Sequence, residues 1–147
     1  MANTNKTGND IIVTMEEFFK KAPALPANAR EFIVKITPWF AIIFGVLGVL
    51  AGLAAVGVSP VAVLGGVQAG GSVLISGVLA IVTSVIMIMA YPKLKNSQMA
   101  GWKLLFWSQA ISVLSSLLAG GLNGIVGTVV GALIGFYILF QIKSYYK

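Results

Sequence analysis

Residues 39–92 and 104–142 carry no charged side chain, and the charges that exist crowd into the short stretches around them. A soluble helix or strand needs a polar face, and these runs have none, so the medium they suit is lipid. Glycine, proline and lysine positions divide them into four expected membrane spans, residues 39–58, 72–91, 104–122 and 125–142. At ~1.5 Å rise per residue, helices of about 18–20 residues cross a hydrocarbon core of roughly 30 Å. The last two spans are separated by no more than Gly120, Gly121, Leu122, Asn123 and Gly124, which predicts a close helical hairpin. Asn123 beside glycine suits the left-handed backbone of such a turn. Segment 59–71 is uncharged and contains Pro60, Gly65 and Gly66. It reads as an external loop, in preference to a re-entrant piece or an extension of its neighbours.

The first 37 residues form a separate arm, with residues 38–147 as the membrane bundle. Helical spacing places Ile11, Ile12, Met15, Phe18, Phe19 and Ala22 on one arc, with Glu16, Glu17, Lys20 and Lys21 opposite. Asn9 or Asp10 can cap the start, and Pro23 and Pro26 end the helix. A second short helix is expected from Asn28, with Glu31 placed as in a capping box, burying Phe32, Ile33 and Ile36 before Pro38. No continuous apolar run of the kind found in a cleavable signal precedes Trp39. Residues 10–21 sum to −1 and lack the basic face of an anionic-lipid binder. The arm is therefore expected to lie along the headgroups or over the bundle's end, because its phenylalanines cannot face water.

Charge orders the spans. All ten basic residues precede span one, lie between spans two and three, or follow span four. Four spans put every one of them on a single side, and the positive-inside rule makes that side cytoplasmic, with both termini there. Trp39, Tyr91, Trp102, Trp107, Tyr145 and Tyr146 fall near the same boundary, where amphipathic rings belong. The expected location is a bacterial-type cytoplasmic membrane. The excess of basic residues does not point to nucleic acid, because it flanks apolar runs and lines no common face. Of 147 residues, 58% are hydrophobic and 10% charged, against roughly 45–50% and about 25% in soluble domains.

Small residues recur at every fourth position within the spans. Span four has Gly127, Gly131 and Gly135, with Gly124 preceding on nearly the same face, in the manner of a glycine zipper. Span three has Ser108, Ser112 and Ser116; span two has Ser72, Ser76, Ala80 and Ser84; span one has Gly48 and Gly52. Lipid supplies no hydrophobic drive between helices, so close backbone approach and interhelical hydrogen bonds must hold them together. These faces are expected to pack the bundle internally, and the span-four glycines are the most plausible surface for another protomer. Gln109 is the strongest polar group at membrane depth and needs a hydroxyl or carbonyl partner.

The chain lacks cysteine and histidine, and its four acidic residues all lie in the arm. Neither a metal site, a cofactor motif nor a catalytic constellation can be assembled from what remains. The small four-helix multidrug transporters are a contrast, since they carry a glutamate in their first helix and span one here has no ionisable residue. The diglycines at 65–66 and 70–71 have no phosphate-loop lysine nearby. The expected class is thus an all-α, non-enzymatic integral membrane protein, a four-helix bundle of two hairpins with an N-terminal amphipathic helix. Its expected partners are the lipid bilayer and either a second copy or another membrane protein. A passive, holin-like channel for small solutes or ions is the alternative.

Overall fold

The computed structural model describes residues 4–64 and 70–147; the side chains at 4–6, 59, 62–63, 70–72 and 118–124 fall outside that description. Among the described residues four α-helices follow one another, α1 (Thr4–Lys20), α2 (Ala27–Leu64), α3 (Gly70–Lys95) and α4 (Met99–Ile142), and a 3₁₀ turn spans Lys143–Tyr145. Helix α3 is central, packing against α2 on one side and α4 on the other. Among the described residues, Ala27–Val58, Val73–Lys95 and Ile125–Tyr145 are long and apolar enough to cross a membrane. These three stretches mark an integral membrane protein.

The helices overrun the expected boundaries. The second arm helix was expected to stop before Pro38, yet α2 continues through both Pro38 and Pro60. Pro38 has no N–H for the Val34 carbonyl. One residue earlier, the Thr37 hydroxyl donates to the Ile33 carbonyl at 2.6 Å, adding a bond on the turn the proline weakens. In hydrocarbon an interrupted helix would leave several backbone groups unsatisfied, so the helical state outweighs proline's local penalty. The same reasoning corrects the loop expected over 59–71. Residues 59–64 extend α2 and residues 70–71 open α3, while 65–69 lie outside the described residues. Helix α3 likewise passes Pro92 and ends at Lys95.

Helical assignment is continuous from Met99 to Ile142, where two shorter helices were expected. A straight helix would hold Trp102 and Leu139 about 55 Å apart. Instead, the Trp102 indole N–H donates to the Leu139 carbonyl at 2.8 Å. Phe106 meets Phe136 with ring centroids 5.4 Å apart, and a Cβ on Gly135 would fall 2.6 Å from Gln109 Nε2. As the number on one arm rises, its partner's falls. The two arms of α4 therefore run antiparallel, and the chain reverses between Leu117 and Ile125.

The packing is inverted relative to a soluble protein. Phe40, Ile43, Phe44, Leu47, Leu50 and Leu53 of α2 face outward. Between α2 and α3 lie Gly45, Gly52, Gly77 and Ser84, and Ala41 of α2 and Thr83 and Ala90 of α3 are buried as well. Thr83 and Ser84 keep their hydroxyls satisfied on the carbonyls of Leu79 and Ala80, so both are buried without unmet bonds. At the basic end the interior is aromatic. Trp102, Phe106, Leu94 and Ile142 are its largest fully buried side chains. Trp102 and Tyr146, expected as boundary rings, belong to this core; Trp39 and Trp107 remain exposed. Trp102 is buried because its single N–H has a carbonyl acceptor across the α4 arms.

The α2–α3 contact generates a test. A Cβ at Gly52 would lie 2.6 Å from Ile81 Cγ1 and 2.8 Å from the Gly77 carbonyl oxygen, whereas one at Gly57 meets nothing within 4 Å. Gly52→Leu should destabilise the fold by about 2 kcal/mol or more in detergent unfolding. Gly57→Ala should be neutral or slightly stabilising.

Candidate functional site

Two places combine exposed or unpaired chemistry with a defined position. The first is the groove between the arms of α4. Gln109, Ser112 and Ser116 line it from one arm; Gly127, Thr128 and Gly131 line it from the other. Ser108, one turn before Ser112, is buried and donates to the Leu105 carbonyl at 3.2 Å. By contrast, the side chains of Gln109, Ser112, Ser116 and Thr128 make no hydrogen bond among the described residues. In hydrocarbon such groups are costly when left alone.

The glycines expected to pack helices divide into two sets. Gly48 and Gly52 are spent on α3, Gly48 against Ser84 and Gly52 against Ile81 and Gly77. Gly45 belongs with them, although the fourth-position spacing from Gly48 did not single it out. Gly135 is spent on Gln109. Gly127 and Gly131 have nothing within 4 Å of a built Cβ, and Val126, Val130 and Ile134 beside them are exposed. The side-chain surroundings of Gly124 lie outside the described residues.

The second place is the latch between the N-terminal arm and the end of α4. Helix α1 turns Ile12 and Phe19 inward, with Met15 half-buried, and leaves Ile11 and Phe18 exposed. The apolar arc is thus divided between the bundle and the surroundings. Phe19 stacks on Phe140 at 5.4 Å between centroids, and a Cβ on Gly8 would approach Trp107 at 3.2 Å. Glu16 pairs with Lys143 and, at 3.5 Å, with Lys20. Lys143 Nζ also lies 5.4 Å from the Trp102 ring centroid.

Beyond α1 the turn is fixed by polar contacts. The Tyr137 hydroxyl donates to the Pro23 carbonyl. Gln141 accepts from the Leu25 N–H at 3.2 Å and donates to the Pro23 carbonyl at 3.4 Å. Proline-bounded residues 21–26 would otherwise leave these backbone groups open. The roles of Tyr137 and Gln141 were not found from sequence, because their partners lie more than a hundred positions away. The signal was indirect: the arm's turn lacks local cap donors of its own.

The Lys143 hydrogen bond holds the Glu16 carboxyl below its ordinary value near 4.5, with burial opposing and the charges of Lys143 and Lys20 assisting. Its contribution to arm docking is therefore present above that ordinary value and is lost as pH falls through the lowered one. Acidification below about pH 4.5 should weaken, without undocking, the hold on α1, read as a lowered melting temperature, and Glu16→Gln should abolish that pH dependence. No family model matches the chain, and neither does any curated protein or solved structure.

Proposed function

We propose that this is a non-enzymatic membrane protein that works by helix–helix association, with the open glycine face of the α4 second arm as its assembly surface. Four spans, both ends of the chain on the basic side and a bacterial-type cytoplasmic membrane complete the reading. One observation carries it: every other described glycine of the spans except Gly57 is pressed against a neighbour, while Gly127 and Gly131 are open. In lipid, bare glycines on a helix cost stability unless a second backbone approaches. The adjoining Ser112, Ser116 and Thr128 hydroxyls and the Gln109 amide supply donors and acceptors for such a helix.

The same polar lining favours a second reading, a passive conduit for small solutes, in which several copies turn the groove toward a shared axis. The two readings separate experimentally. Gly131→Leu should lower the mass of the wild-type assembly in nanodiscs by at least one protomer or remove a partner. A wild-type monomer that neither leaks solute nor recruits a partner would end both. Solute flux through liposomes, lost with Gln109→Leu while mass is unchanged, would favour the conduit.

A further inference from the structure

Three cations converge on one cavity at the basic end of the molecule. Its volume is about 420 Å³, within the roughly 300–1,000 Å³ range of small-molecule sites. Lys20 comes from the end of α1, Arg30 from the first turn of α2, and Lys143 from just beyond α4. Glu16 is the one carboxylate among the lining side chains, so positive charge is in excess there.

Boundary lysines and arginines ordinarily send their heads into water while their stems lie along the apolar surface. Arg30 does not fit that pattern. Its Nε is shut off from solvent with no hydrogen-bond partner, and neither ion pair of Glu16 extends to it. The residue as a whole is half-buried, and an enclosed N–H left unmatched costs stability unless an acceptor meets it. The Tyr146 hydroxyl, on a residue of the same wall, is also shut off from solvent, with the Thr37 side chain as its polar neighbour. Burial raises its pKa, with the Thr37 side chain opposing in part, so the phenol stays protonated and can donate. Ser144 adds a second hydroxyl, and Phe19, Phe140 and Met99 supply an apolar wall.

A planar guanidinium, ammonium groups and hydroxyl donors around one space are the set that recognises tetrahedral oxyanions. We propose that this cavity binds a phosphate-bearing anion, delivered as a phospholipid headgroup or as a soluble phosphate ester. The site joins the end of α1, the start of α2 and the end of α4, so its ligand also ties the N-terminal arm to the end of α4. It stands apart from the glycine face and does not depend on assembly.

The test uses the full chain in detergent. Native mass spectrometry would count retained phosphatidylglycerol against phosphatidylcholine of matched acyl chains, and thermal unfolding would be followed with inorganic phosphate. Arg30→Gln and Lys20→Gln are the site variants; Lys95→Gln, exposed and outside the cavity, is the control. Lys20 is largely exposed, at 68% of its side chain, so its variant carries the test if Arg30→Gln does not fold.

A headgroup site predicts about tenfold preference for phosphatidylglycerol, lost in the site variants and kept in the control. A soluble-ester site predicts no lipid preference but stabilisation by phosphate that the site variants lose. Binding unaffected by the site variants, an equal loss in Lys95→Gln, or no response to either probe overturns the proposal.

Discussion

The close approach of α2 and α3 is the contact on which the rest of the structure depends. Lipid does not push helices together, so they must gain dispersion and polar contacts by bringing backbones within reach. Gly45 and Gly52 leave no room for even one methyl group along that seam, and one at Gly77 would be tightly held at 3.1 Å from its neighbours. With α2 fixed against α3, α4 can pack on α3's other side, and the arm follows the end of α4. The outward display of phenylalanine, leucine and valine is the complementary half of the same solution.

The two ends of the molecule use different physics. At the basic end, Trp102, Phe106, Phe136 and Phe140 form an aromatic cluster with several edge-to-face and stacked contacts. Lys143 lies over Trp102 and reaches Glu16 on the arm. The C-terminal residues close the cluster, since the Lys147 N–H donates to the Ser97 carbonyl at 2.9 Å and the Met99 N–H donates back to the Lys147 carbonyl at 2.6 Å. Ser97 takes a φ of 53°, turning the chain between α3 and α4. Further along the α4 arms the ring contacts give way to a groove of small and hydroxyl residues. Ring contacts and closed hydrogen bonds are thus concentrated at the basic end of the molecule.

Much of this architecture was legible in the residue order. The uncharged runs marked the long helices, the 100° spacing found the arm, and the glycine and serine periods located real contacts at Gly48, Gly52 and Gly135. Helix ends were not legible, for an identifiable reason. Pro38 and Pro60 read as stops by rules drawn from water, where a broken helix is solvated. In lipid the backbone has no alternative partner, and the helices continue. Long-range chemistry was also hidden. Glu16 with Lys143, and Tyr137 with Pro23, join residues more than a hundred positions apart. Arg30 looked like one boundary cation among many, and only its enclosed, unpartnered Nε set it apart.

The account stands most directly on α4 folding back on itself with its basic ends together. The chain has no cysteine, so spin labels can be placed at Lys103 and Ser144 without background. Both lie outside the aromatic cluster and are exposed. Double electron–electron resonance in a bilayer should give a separation near 20 Å, as expected for neighbouring antiparallel arms with label linkers added to a roughly 10 Å axis spacing. A distance of about 60 Å, as for one uninterrupted helix of that length, would contradict it.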